Sequence, residues 1–303
     1  MSSTAAQPVQ TKHHSRWQAD AALAFVAIIW GSTFVTVKQA LGDISTVYFL
    51  FLRFSLATVC MLALFFPAFR KMASREIAAG LGSGAIAGLF LWMGFILQTL
   101  GLKFTTAGNS GFLTGLYIVL VPLIGAAVLR KRPTGREILG IAIATAGMLV
   151  MTLPSIAANF TMNRGDLLTI ACAVSFAFHL LMVGHYSQRC RTEALALGQI
   201  ACAAILSGCS LTLEPPHVLW SRAVITAILL TAILATAVAF ALQTWAQRYT
   251  TPTRTALIFA LEPVIALVTA VLLGGEPLTL YALAGGALIL AGILAVELKP
   301  SSS

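Results

Sequence analysis

The chain is 303 residues long, with 58% hydrophobic and only 10% charged residues. Soluble domains carry about 25% charged residues, so the composition excludes a soluble globular protein and describes an integral membrane protein. The net charge of +9 sits in short loops between apolar runs, with no basic face interleaved with aromatics; that excludes a nucleic-acid binder and points to orientation in a bilayer.

Ten apolar spans follow in order: 19–37, 46–66, 77–100, 107–129, 136–153, 166–184, 193–213, 219–247, 252–273 and 279–297. Each is close to the roughly 20 residues a helix needs to cross about 30 Å of hydrocarbon, 136–153 being the shortest. Lys12 and Arg16 ahead of the first run resemble a signal peptide, but the run is too long and lacks a small-residue cleavage site, so an uncleaved first span fits better. With the N-terminus inside, fourteen basic residues fall on the inner side: Lys12, Arg16, Arg70, Lys71, Arg75, Arg130, Lys131, Arg132, Arg136, Arg189, Arg191, Arg248, Arg254 and Lys299. Four fall outside: Lys38, Lys103, Arg164 and Arg222. This bias predicts both termini on the cytoplasmic side.

The chain repeats itself at an offset of 145 residues. QTLGLKFTT at Gln98 is answered by QTWAQRYTT at Gln243, with Gln98/Gln243, Thr99/Thr244, Thr105/Thr250 and Thr106/Thr251 identical. The tails agree again, with Gly140 and Gly147 against Gly285 and Gly292. Each copy holds five spans, and five is odd, so the second copy enters the membrane from the opposite side. The predicted fold is an all-α integral membrane protein whose ten transmembrane helices form two inverted five-helix repeats. Its divisions are a cytoplasmic tail 1–18, repeats 19–153 and 166–297, and a tail 298–303. Inverted repeats commonly enclose a substrate site between them, although duplication could simply have enlarged a bundle.

Pro67, Pro154 and Pro215–Pro216 are expected to close spans, and Pro133, Pro252 and Pro277 to precede or open them. Pro122 and Pro263 alone lie deep in spans, in repeat-equivalent spans four and nine. As helix kinks they would free the carbonyls of Ile118 and Phe259, either toward a polar cavity or toward neighbouring helices that satisfy them. Gly80, Gly84 and Gly88, with Gly111 and Gly115, mark close helix contacts. The five cysteines, Cys60, Cys172, Cys190, Cys202 and Cys209, form no CxxC pair and read as packing residues. Neither a metal site nor a cofactor is expected.

AIIWGSTFVTVKQAL in span one, FLRFSLA in span two, TTAGNSGFLTGLYIVLVP across span four and LEPVIALVTAVLLGGEPLT across span nine, with ten spans and a duplication, resemble the EamA-type members of the drug/metabolite transporter superfamily. The resemblance covers about residues 20–297. It implies a carrier of the bacterial inner membrane, often an exporter of amino acids or other small metabolites. It also implies a pathway lined by spans one, three, four, six, eight and nine, with five and ten more peripheral. RKRP after span four departs from the acidic turn common in relatives.

Glu262 is the acid deep in a span, where an unpaired carboxylate costs at least about 2.5 kcal/mol. It faces a cavity and binds a substrate amine or a proton, or it pairs structurally near Pro263. Arg53 is the base deep in a span; attraction of anionic groups is weighed against a packing role, and packing is favoured because span two lies off the implied pathway. His179 offers either a ligand or switch or one bundle hydrogen bond. Trp30, Ser32 and Thr33 in span one, Trp92, Met93 and Gln98 in span three, Asn109, Ser110, Phe112 and Tyr117 in span four, and Phe240, Gln243 and Thr244 in span eight mix polar groups with aromatics. That mixture suits a pocket for a small amphipathic molecule, and also ordinary interhelical bonding.

No GxxxxGK[ST], G-x-S-x-G or HExxH is present. The sequence therefore predicts a non-enzymatic secondary transporter, exporter or exchanger, of amino acids or related compounds, working by alternating access in contact with the lipid bilayer. A lipid or undecaprenyl-type flippase, an accessory membrane protein and an intramembrane enzyme are the alternatives. Substrate identity, direction, proton coupling against facilitated diffusion, and monomer against homodimer stay open.

Overall fold

The computed structural model describes residues 10–105, 107–128, 130, 133–158, 163–274 and 278–297, with the side chains of 10–15, 34, 107–109, 154–158, 270, 273, 274 and 297 excepted. The side chains of Lys12 and Asn109, together with Lys131, Arg132, Pro277 and Lys299, lie outside the described residues.

Among the described residues the elements are helices, apart from a single β-bridge between Ile44 and Val218. Nine helical stretches among the described residues are long and apolar enough to cross a membrane, and Leu280–Val296 is a shorter apolar helix. Hydrocarbon leaves backbone groups no water to bond, and a helix satisfies them within its own segment. Large apolar side chains such as Leu64, Ile205 and Leu272 face outward, at 60%, 66% and 75% exposed, a surface that suits lipid and not water.

Span one is α1 (Gln10–Ala40), two α2 (Thr46–Phe69), three α3 (Ser74–Gly101), five α6 (Gly135–Ala158), six α7 (Arg164–Tyr186), seven α8 (Thr192–Cys209) and ten α13 (Leu280–Glu297). The other three spans are broken. Span four is α4 (Ala107–Gly115) and α5 (Tyr117–Val128), and span nine is α11 (Pro252–Ile258) and α12 (Leu261–Gly274). Span eight is α9 (Arg222–Ala232), a π-turn Ile233–Val238 and α10 (Ala239–Ala246). Two expectations are corrected. Helix α1 starts at Gln10, within the stretch assigned to the tail, and α2 and α6 run on past Pro67 to Phe69 and past Pro154 to Ala158.

Local signals explain several starts. Asn163 caps α7, accepting from the N–H groups of Gly165 and Asp166, while the Asp166 carboxylate accepts from the Asn163 N–H; this reciprocal pair satisfies orphan donors at the helix start. Thr251 caps α11, and Pro252 takes the first turn, where its missing N–H costs nothing.

Packing repeats under exchange of halves. Helix α7 packs on α3, α4 and α5, as α1 packs on α9, α10, α11 and α12. Helix α3 runs along α8 as α2 runs along α9 and the π-turn, and the pairs α2–α8, α5–α11 and α6–α13 map onto themselves. An inverted repeat produces this pattern. At the α6–α13 crossing a Cβ added to Gly147 would stand 2.6 Å from the Gly285 carbonyl oxygen, and one on Gly285 2.5 Å from that of Gly147. Only hydrogen fits there, so the backbones touch.

On the side expected to face outward, the loop after α8 is stapled to the loop after α1. Ser45 and Leu219 N–H groups donate to the carbonyls of His217 (2.9 Å) and Asp43 (2.7 Å). Lys103 Nζ lies 2.5 Å from Glu214 Oε1, and the Val47 N–H donates to Oε2 at 3.0 Å. Partial burial pushes the Glu214 carboxyl up, but the Lys103 contact and the backbone donors outweigh it and hold the group below the usual carboxylate range.

Candidate functional site

The two broken spans come first. Pro122 lies buried in α5 and Pro263 half-buried in α12, but the breaks precede both prolines, at Leu116 and at Phe259–Ala260. Three-residue turns close them: Leu116 N–H to Leu113 O (3.2 Å), Ala260 N–H to Leu257 O (3.0 Å) and Glu262 N–H to Phe259 O (2.9 Å). The Phe259 carbonyl takes its donor neither from a polar cavity nor from a neighbouring helix, the two outcomes expected of Pro263; the chain tightens and supplies its own, the Glu262 N–H. The breaks fall in repeat-equivalent spans, one to two residues out of exact register, and Tyr117 and Glu262, in the first turns of the helices that follow, stand at the 145-residue offset. Among the described residues no hydrogen bond reaches the half-buried Glu262 side chain. Spans four, six and nine meet beside it, α11 packing on both α5 and α7.

An aromatic layer crosses the middle of the bundle. Trp30 packs on Phe240 with ring centroids 5.2 Å apart, and Phe176 on Phe95 at 5.4 Å. Phe95 meets Phe240 at 6.4 Å, and Trp30 also packs on Phe259 at 4.9 Å. All are favourable tilted or edge contacts. Phe95 and Phe240 are repeat equivalents, and Trp30 and Phe176 are equivalents at an offset of 146, so the layer is two copies of one pair meeting through the edge contact of Phe95 and Phe240.

Two polar nodes flank it. The π-turn in span eight frees backbone acceptors, a feature often found at functional sites. Trp30 Nε1 donates to the Ala235 carbonyl at 2.8 Å, and Arg53 donates from Nε to Thr236 Oγ1 (2.8 Å) and from Nη2 to Ala235 O (3.4 Å). In the second node His179 Nε2 lies 2.7 Å from Gln199 Oε1. An amide oxygen only accepts, so the imidazole donates. Gln199 Nε2 donates to Thr244 Oγ1 (2.8 Å), which donates to Phe240 O (2.6 Å).

Each end of the bundle carries a buried acid. Asp20 on α1 takes Arg254 of α11 through both oxygens, Nε to Oδ1 at 3.2 Å and Nη2 to Oδ2 at 2.8 Å. Arg254, counted above as a loop charge, is thus a buried partner in the first turn of a helix, 8% exposed. At the opposite end Asp166 Oδ1 accepts from the Thr105 hydroxyl at 2.6 Å.

The candidate residues divide accordingly. Trp30, Phe240 and His179 are brought together, Trp30, Tyr117 and Phe112 share one hydrophobic core, and Glu262 lies half-buried in the first turn of α12. Gln243 donates to Gln247 Oε1 at 3.4 Å, and its own Oε1, like Trp92 Nε1 and Ser110 Oγ, is buried without a partner among the described residues. Met93 lies half-buried beside Trp92. Ser32 and Thr33 bond carbonyls of their own helix, Ile29 O and Trp30 O. Gln98 donates to Thr114 Oγ1 at 3.1 Å. Asp20, Phe95, Phe176, Gln247 and Phe259 were missed; repeat equivalence could have found Asp20 through Asp166 and Phe95 through Phe240.

The EamA-like transporter family model matches residues 17–153 and 163–298. The chain belongs to this family. An uncharacterised transporter of Archaeoglobus fulgidus is 35% identical over 284 residues, covering 94% of this chain and 87% of the relative. Proteins named probable amino-acid metabolite efflux pumps in Salmonella typhimurium and Escherichia coli are each 28% identical over 281 residues, covering 88% of this chain and 91% of the relative. A solved structure 21% identical superposes with a TM-score of 0.74 over 93% of this chain and 97% of that one, which shows the fold. The family is one of transporters and these relatives are named as transporters or efflux pumps, so the chain is a multi-pass transporter whose partners are a small molecule and the bilayer.

Proposed function

We propose that this EamA-like protein is a secondary transporter that exports or exchanges small amphipathic metabolites, amino acids first among them, by alternating access. One observation carries the reading: Tyr117 and Glu262, repeat equivalents at the 145-residue offset, stand in the first turns of α5 and α12, just past the breaks in spans four and nine. Broken helices at the junction of inverted repeats are where carriers bind substrate. The relatives named as amino-acid metabolite efflux pumps support the substrate class.

In this reading Glu262 takes the substrate amine or a proton, and Trp30, Trp92, Met93, Phe112, Tyr117 and Phe240 hold the apolar body. Gln243 and His179 orient polar groups, with Asn109 at the mouth of span four. Ser32 and Thr33 contribute through helix shape, since their hydroxyls are engaged. The Asp20–Arg254 and Asp166–Thr105 junctions open in turn. The repeats are 19–153 and 166–297, and the protein sits in the inner membrane with both tails cytoplasmic.

Counterflow in proteoliposomes with a panel of amino acids, amines and other metabolites tests this; saturable exchange of at least one compound is expected, and none across the panel overturns it. With Glu262→Gln, loss of pH-gradient-driven uptake with exchange retained marks a proton carrier. Equal loss of both in a folded protein marks a substrate or structural group.

A further inference from the structure

Arg53 is 6% exposed, and among the described residues no carboxylate forms an ion pair with it. Its bonds to Thr236 and Ala235 engage two of the five N–H groups a guanidinium carries. Its Cζ stands 4.7 Å from the centre of the Phe95 ring and 5.7 Å from that of Phe54, so the cation lies against the aromatic layer instead of snorkelling to the surface. The repeat counterpart of Arg53, at an offset of 146, is Gln199. Gln199 is fully buried and ties α8 to spans six and eight through neutral hydrogen bonds to His179 and Thr244. The packing position is therefore served by an amide in one half, and the charge in the other half is not what the packing requires. A buried intramembrane cation that faces the bundle marks a substrate path.

We infer that Arg53 is an anion-binding group of the transport site and that the transported molecule carries a carboxylate. The inference rests on the transporter reading above. The guanidinium fork matches a carboxylate in shape and charge. The adjoining faces of Trp30, Phe95 and Phe240 suit an apolar body attached to it.

The test is thermal-shift titration of the purified full-length protein with each amino acid beside its carboxamide, and with phenylacetate beside phenethylamine. At least one carboxylate should stabilise the native state, with its carboxamide or amine weaker by about tenfold or more, because a site built to bond a group rejects analogues that lack it. Arg53→Gln copies Gln199, so it should fold and lose the preference; Arg53→Lys keeps the charge but not the fork and should retain part of it. Equal binding of carboxylate and carboxamide by the wild type overturns the inference without any variant. So does a preference that survives Arg53→Gln, or no response to any carboxylate. Saturable counterflow of a neutral or cationic compound, unchanged by Arg53→Gln, keeps the transporter reading and removes this one; no counterflow with any compound removes both.

Discussion

The two ends of the bundle are built from the same plan and closed with unequal strength. At one end Asp20, on the first span of the first repeat, grips Arg254 of span nine with a two-pronged ion pair. At the other, Asp166, its equivalent in the second repeat, meets the loop ahead of span four through one hydroxyl, Thr105, and otherwise caps its own helix with Asn163. Duplication kept the acid and its place; divergence decided whether it faces a cation. A buried charge pair resists separation more than a single hydroxyl-to-carboxylate hydrogen bond, since parting it leaves two bare ions in a low-dielectric interior instead of one. The comparison teaches that the Asp20 end is the harder one to open.

The sharpest way to break it is to leave one ion alone. Arg254→Ala strands a buried carboxylate and should destabilise the protein by about 3–5 kcal/mol, read as a fall in melting temperature and loss of counterflow. Asp20→Asn/Arg254→Gln together should recover much of that loss, and equal damage in single and double variants would refute the pairing. At the other end Asp166→Asn keeps an acceptor and should cost no more than about 0.5–2 kcal/mol, the scale of a helix cap. Cysteine-accessibility labelling at the two ends should then show the Asp20 end becoming more open in its variant than the Asp166 end does in its own.

The smallest effect concerns the outer staple. Glu214 is held below its ordinary range, so its contribution is present above the usual Glu pKa of about 4.3 and is lost as pH falls through the lower folded value. Lys103 is 44% exposed, so the pair is worth only about 0.2–1 kcal/mol. The melting-temperature gap between wild type and Glu214→Gln should be visible at neutral pH and close as the solution is acidified; a gap that widens in acid would contradict this assignment.

Much of this architecture was legible beforehand. Apolar length reveals spans because hydrocarbon thickness fixes it. The 145-residue echo reveals the inversion, and the glycines of its tails, Gly147 and Gly285, prove to be the crossing of α6 and α13. What could not be read were partners. Asp20 and Arg254 are 234 positions apart, and a hydropathy scan sees one as a span edge and the other as a loop charge. The π-turn ILATAV contains neither proline nor glycine. It exists because Trp30 and Arg53 arrive from other helices to bond what it frees, and only tertiary placement records that. Pro263 pointed to the right place, since span nine gives way at Phe259–Ala260, while span four gives way at Leu116, two residues ahead of the Ile118 that Pro122 singled out.

The glycine crossing has a mechanical consequence. With each backbone resting on the other's carbonyls at Gly147 and Gly285, spans five and ten have no lubricating layer of side chains along which to slide. They make a fixed joint between the two repeats, riveted backbone to backbone.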